Sequence, residues 1–359
     1  MQVSTLRFAF FFEYFIMNIY QKMKKKNFIF ISLLIFPLLF CSCSKSGRFA
    51  IDTTKNRVDV KINRFDSALI SMDTVNLKAG IDKLYSNYPE FMSLYIENVL
   101  NVNPADSATI RKTFFQFLSD STFAKVNKKD METFSNVSDI EKSISDAFTY
   151  IHHYFPEKEL PKVYFFVSGF NRSVLMDDRI IGIGTDLYLG SDFPSYQDFT
   201  YQYLMYNMRR ECVATDLVSA TLFRMFLLDN SQDRLLDNML YRGKMMYLIS
   251  VFMPGEKPED LMGYKPEQME WCKTYEKEVW GAMIDQKDLF STDMQIIRKY
   301  MNDAPFTSTI SQDSPGRLGT WLGWQIVNSY MNKNKEVSLT DLMKDNNYQK
   351  MLEDSGYRP

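Results

Sequence analysis

KVYFFVSGF, Lys162 to Phe170, followed shortly by RIIGIGTDLYLG, Arg179 to Gly190, is the block whose reading decides the fold. In the first piece Val163, Phe165 and Val167 alternate with Tyr164, Phe166 and Ser168, the period-two pattern of a strand. In the second, Ile180, Ile181 and Ile183 suit a returning strand, and Met176-Asp177-Asp178 reads as the hairpin turn before it. This predicts a small antiparallel sheet. After Pro194 the pattern becomes helical, and the spacing predicts a helix from Asp198 through roughly Phe226. Several enzyme classes set their reacting groups where a strand edge runs into a helix in this way.

Upstream, Arg57 to Ile62 alternates and predicts a further strand, followed by helix through Met72. Asn76 to Val137 is helical with breaks at Tyr88-Pro89, Asn103-Pro104 and Lys128-Lys129-Asp130, and Asp139 to Tyr154 is an amphipathic helix closed by Phe155-Pro156. Downstream, Pro266 in a first turn opens a helix to about Gln286. Ser314-Pro315 repeats the device for a helix to about Asn332, and Ser338 to Asp341 starts the last one, which stops near Gly356. The expected class is α+β, predominantly helical, a small antiparallel sheet followed by a helical bundle, in one domain spanning 57–359.

Hydrophobic residues make up 45% and aromatics 15% of 359 residues, enough for a well-buried core and too apolar for a disordered chain. The charge is -2 overall. Residues 1–43 hold five of the 42 basic residues and one of the 44 acidic ones, which leaves 37 basic against 43 acidic beyond them. A mildly acidic body without a basic patch argues against nucleic acid as partner.

The basic run Met23-Lys24-Lys25-Lys26 precedes an apolar stretch, Phe28 to Phe40, of signal-peptide length and too short to span comfortably. It ends in Phe40-Cys41-Ser42-Cys43, which resembles a bacterial lipobox. Cys43 is the better acceptor, because small Ser42 then precedes the cut, whereas cutting before Cys41 would place bulky Phe40 there. Residues 23–42 therefore read as a lipoprotein signal peptide, 43–56 as a lipidated tether, and 1–22 as an extension from a start placed too early. The expected place is the cell envelope, lipid-anchored and facing the periplasm, since Ser44-Lys45-Ser46-Gly47-Arg48 carries no acidic run.

The catalytic inventory is thin. The two histidines, His152 and His153, are adjacent and point about 100° apart on a helix, so they do not form the H-E-x-x-H pair a zinc site needs. No G-x-S-x-G elbow and no phosphate loop occurs, and the glycines at 182 and 184 more simply relieve crowding. Carboxylate pairs such as Asp177-Asp178 and Glu276/Glu278 are expected by chance among so many acids. Cys212 and Cys272 read as two buried thiols, or else one bridge. No metal and no cofactor is expected. In the 314–324 stretch, Gly319 and Gly323 allow close helix packing, and Arg317 in a first turn opposes the helix dipole and calls for a carboxylate partner. Arg317, Trp321, Trp324 and Lys244 are the candidate structural or partner-contact residues.

Seven stretches together resemble the gliding-motility lipoprotein family GldB over roughly 57–359. They are RFDSALI (64–70), YPEFMSLYIENVL (88–100), FVSGFNRSV (166–174), IGTDLYLG (183–190), the 235–247 segment with Arg242-Gly243-Lys244, YKPEQMEWC (264–272) and SPGRLGTWLGWQIVNSYM (314–331). The resemblance implies a zincin-like scaffold that lacks the zinc motif, since Tyr201 to Glu211 contains no histidine. It further implies a non-catalytic protein of the gliding and envelope machinery that binds a protein or peptide partner, by strand addition along 162–168 or 179–184. A hydrolase with a non-histidine metal or acid-based site is the alternative. Five matches to D-[S/T]-(A/I/L/M/T/V), at Thr53, Ser67, Thr74, Ser107 and Ser121, resemble the O-glycosylation sequon of exported Bacteroidetes proteins.

Overall fold

The segment before β1 pairs with a helix instead of a strand. In the computed structural model, which describes residues 47–228 and 233–359, the strand expected over 57–62 is reduced to β1, Ile62–Arg64. The backbone N–H groups of Val58, Val60 and Ile62 donate to Thr149 Oγ1 (3.0 Å), Ser145 Oγ (2.9 Å) and Glu141 Oε1 (3.0 Å) of the Ser138–Tyr154 helix. Two strand residues rise about 6.6 Å and four helical residues about 6 Å, so a period-two row of donors meets a period-four row of acceptors. At Ile62 this row also gives the β1 edge of the sheet a partner.

The sheet holds four strands in the order β1-β2-β4-β3, with β2 Lys162–Phe166, β3 Val174–Met176 and β4 Ile180–Gly184. β1 and β2 pair in parallel, Ile62 opposite Val163, and so do β2 and β4, Val163 opposite Ile181. Only β3 and β4 are antiparallel. This corrects the antiparallel pairing of 162–170 with 180–183: the sheet is mixed. The reason lies in the chain reversal after β2. Gly169 and Phe170 both take left-handed backbone, at φ 69 and 63. Buried Asp186 holds that turn by accepting Ser168 N–H at 2.9 Å and Phe170 N–H at 2.7 Å. The chain then passes to the far side of β4 before folding back through the Asp177 turn, where Asp177 Oδ1 accepts the N–H groups of Arg179 and Ile180.

β2 and β4 are interior strands and buried along almost their whole length. Strand addition along 162–168 or 179–184 is therefore excluded, because their ladder groups are already paired. Phe91 stacks on Tyr164 at 4.5 Å, Tyr95 donates to the Val167 carbonyl at 2.8 Å, and Phe65 and Phe166 complete an aromatic core under the N-terminal helices. A Cβ on Gly182 would sit 3.0 Å from Phe91 and 3.1 Å from Phe166, so the strand glycine does relieve crowding. Residues 51–359 form one compact unit, α+β and predominantly helical.

Five helix expectations change. The helix expected from Pro266 to Gln286 is interrupted at Tyr275, giving Pro266–Thr274 and Glu276–Asp285. The last helix, expected from Ser338 to Gly356, is two, Leu339–Lys344 and Tyr348–Ser355, because Asp345 is extended and Asn347 caps a new start by accepting the Lys350 N–H. The helix through 121–133 runs over Lys128-Lys129-Asp130 unbroken, and the break lies at Asp120, which caps it. The helix expected from 198 to 226 exists only as Val213–Met225. Ahead of it lie short turns at Pro194–Asp198, Gln202–Met205 and Arg210–Cys212. An antiparallel bridge between Leu189 and Arg209, with Gly190 N–H on the Met208 carbonyl at 3.0 Å, holds Arg209 extended and interrupts the helix. The strand-then-helix arrangement of zincins is thus not formed at 201–211. The helix expected from Ser314 starts at Leu318, because Ser314 Oγ instead bonds Thr307 N–H and the Ser311 carbonyl.

Two helices, Leu235–Phe252 and Leu318–Lys333, make the closest pair of the C-terminal half. They cross at Gly243 and Gly323, where a Cβ on either would run into the backbone of the other helix, Gly323 into Met239 and Gly243 into Gly323 itself.

Candidate binding cleft

β2 and β4 run parallel, and the loops leaving their carboxyl ends border one cleft of about 510 Å³. Ligands of parallel sheets gather at that end because the loops there diverge and leave a crevice. Phe170, Asn171 and Ser173 come from the turn after β2, and Leu187 and Tyr188 from the turn after β4. The far wall comes from the Val213–Met225 and Leu235–Phe252 helices, and Asp303 and Arg317 border it from beyond Met301. The size is that of a small-ligand or peptide-end site. Its lining mixes apolar rings with amides and hydroxyls (Asn171, Asn207, Ser219, Thr320).

Asp216 projects from the Val213–Met225 helix and accepts a hydrogen bond from Tyr188 Oη at 2.8 Å. Burial pushes its carboxyl up to about 6, against the opposing effects of the tyrosine bond and the Arg317 charge. Cys212 lies beside it with Arg209 Nε at 3.4 Å, and burial pushes this thiol up to about 11, the reverse of what a thiolate nucleophile requires. Arg209 also pairs with Asp260 at 3.1 Å.

Arg317 has the carboxylate partner expected of it, Asp303 Oδ1 at 2.9 Å, and donates to the Met262 carbonyl at 2.5 Å. It sits just before the first turn, in left-handed backbone at φ 59, so it is the N-cap and not a residue within the helix. Arg242 is different. Its guanidinium lies over the Phe223 ring, 5.2 Å from the centroid, open to the solvent of the cleft while enclosed by protein on its other sides. It has no ion pair or hydrogen bond among the described residues. Burial, then the neighbouring Arg317 charge, holds its pKa below the usual arginine range.

The other residues singled out in the sequence lie apart from this cleft. Trp321, Trp324 and Lys244 are buried, which fits the structural one of the two roles offered for them and not partner contact. Lys244 Nζ donates to the Asp345 carbonyl at 2.9 Å just past the Leu339–Lys344 helix and lies over Tyr348, and burial pushes it down to about 8. His152 and His153 are exposed in the last turn of their helix. Asp177-Asp178 form the β3–β4 turn, and Glu276 accepts from Tyr357. Both cysteines are free and buried. No group of three or more His, Cys, Asp or Glu side chains among the described residues is placed to hold a metal ion.

The D-[S/T]-x sites turn out to share a local structure. Asp52, Asp73, Asp106 and Asp120 each accept a backbone N–H two or three residues on, which makes them turn formers or helix caps. Asp66 is the exception, buried and bidentate with Arg64. Ser107 and Ser121 are exposed at helix starts, and Thr53, Ser67 and Thr74 are half-buried. Cys43 and the signal-peptide residues lie outside the described residues.

Sequence reasoning missed Asp216, Tyr188, Asp303 and Arg242. Arg242 stood inside a quoted stretch, but nothing in one dimension separates it from Lys244, two residues on and facing the core. Compared with known proteins, residues 46–359 match the family described as gliding motility protein GldB. No curated protein and no solved structure matched the chain.

Proposed function

The chain belongs to the GldB family of gliding motility proteins, and from that membership we propose that it is a lipid-anchored, periplasm-facing component of the gliding and cell-envelope machinery that binds a partner polypeptide without cutting it. The observation that carries partner binding is the cleft itself, a crevice at the carboxyl ends of β2 and β4 whose lining offers apolar rings for side chains and amides and hydroxyls for main-chain groups. Two facts support a non-catalytic role. The cleft cysteine is buried as a thiol, and both histidines sit on a different surface. Among the described residues no helix is long and apolar enough to cross a membrane, and in this reading Cys43 supplies the attachment. An acyl chain contributes ~0.8 kcal/mol per buried methylene, so two or more hold a protein stably.

A photoreactive residue in place of Phe199, exposed at the cleft, tests this in native membranes. Crosslinking to one envelope protein from this position, and not from exposed Val75 in the turn before the Leu77–Asn87 helix, is the expected outcome. Equal crosslinking from both positions, or none from Phe199, would sink the reading. A second reading, acid-assisted hydrolysis, draws on the raised carboxyl of Asp216. It predicts a peptidase activity that Asp216→Asn abolishes, or stoichiometric zinc in the purified chain, and either would displace the first reading.

A further inference from the structure

Arg242, Arg317, Asp303 and Asp216 share one side of the cleft. Asp303 pairs with Arg317 and Asp216 accepts from Tyr188, and the Arg242 guanidinium bonds neither carboxylate. A guanidinium that faces a crevice with no carboxylate bonded to it keeps its donors free for a ligand, and a planar fork of donors is matched by a planar pair of oxygens. We propose that this corner captures the terminal carboxylate of a peptide chain, with Arg242 as the direct ligand and Arg317, already tied to Asp303 and the Met262 carbonyl, as the fixed neighbour.

The lining favours a peptide end over a free acyl chain with the same headgroup. Ser219 and Asn171 line the same cleft. An acyl tail would leave these groups dry and unpaired, whereas a main chain brings polar groups to them. The Phe223 ring under Arg242 gives the last side chain an apolar surface and keeps the guanidinium flat. The Arg317 charge presses on Arg242, and an arriving carboxylate offsets it. This assignment rests on the cleft being the partner site, as proposed above.

The test uses the full chain in nanodiscs and one library of N-acetyl tetrapeptides with apolar last residues, prepared as free acids and as C-terminal amides. Inorganic phosphate is titrated separately. Free acids should bind at least tenfold more tightly than the matched amides, and R242Q should abolish that difference while R242K retains part of it. R242Q removes no hydrogen bond or ion pair within the protein and only the contact with the Phe223 ring, so its thermal midpoint should stay close to that of the wild type. Equal binding of acids and amides overturns the carboxylate assignment and leaves the cleft reading standing. Arg242-dependent binding of phosphate without any peptide also overturns it, assigning the corner to a small anion. If nothing binds, the assignment fails, and the Phe199 crosslink then decides separately whether the cleft holds a partner.

Discussion

Ser145 Oγ accepts the Val60 backbone N–H at 2.9 Å, with both residues buried. This bond is the middle rung of three that fasten the first extended segment to the Ser138–Tyr154 helix, and no solvent is there to replace it. Ser145→Ala should therefore destabilise the fold by about 1–2 kcal/mol, the cost of a buried donor left unpaired. Denaturant unfolding measures it, and a loss below about 0.3 kcal/mol would mean that the rung contributes nothing.

The crossing of Leu235–Phe252 with Leu318–Lys333 leaves no volume for a methyl at Gly323, where a Cβ meets the Met239 carbonyl. Gly323→Ala should cost about 3 kcal/mol or prevent folding, since backbone on both sides must part. Gly281, in the Glu276–Asp285 helix, has nothing within 4 Å of a Cβ. Gly281→Ala should raise stability by about 0.5–1 kcal/mol through helix propensity. Two variants with the same sign would refute this contrast.

Asp130 is fully buried, and neither carboxyl oxygen has a hydrogen-bond partner. Burial, with the Asp66 charge beside it, pushes the carboxyl up to about 8. The folded state keeps a proton that the unfolded chain releases near pH 4, so this stabilisation is complete below that pH and is lost as pH rises through about 8. Stability should fall with a slope approaching ~1.4 kcal/mol per pH unit inside that window. Asp186 is raised in the same direction, so the decisive quantity is the difference between variants. Asp130→Asn should flatten the fall between pH 5.5 and 8.5 and be the more stable protein at the upper end. Parallel curves for the two proteins would count against it.

Lipidation at Cys43 predicts that Cys43→Ser moves the protein from the membrane to the soluble fraction. The intact mass of the native mature protein then tests the Asp-Ser/Thr sites. If at least one of Thr53, Ser67, Thr74, Ser107 and Ser121 carries a glycan, the mass exceeds polypeptide plus lipid, and a mass equal to that sum rules modification out. The caps at Asp106 and Asp120 give an independent reason for the repeated pattern, because serine after a capping aspartate suits a helix start whether or not it is modified.

The strands, the amphipathic helices and several of their ends could be read from one dimension because local forces decide them. Period-two alternation marks β2, the Ser338–Asp341 box caps its helix, and Gly356 closes the last one in left-handed backbone. Family membership was likewise written in stretches of chain. Partner choice among elements was not. Whether Lys162–Phe166 lies parallel or antiparallel to Ile180–Gly184 depends on a turn that Asp186 holds from sixteen to eighteen residues away. The helix through 201–212 had ample propensity and lost to the bridge between Leu189 and Arg209. The cleft is the extreme case. Tyr188, Asp216, Arg242 and Arg317 come from four separate segments, of which only Arg317 stood out by itself, and the packing of two helices through Gly243 and Gly323 against the end of the sheet brings them to one cleft. Local sequence specifies backbone conformation at short range, whereas charge balance in a crevice is a sum over residues that the chain keeps far apart.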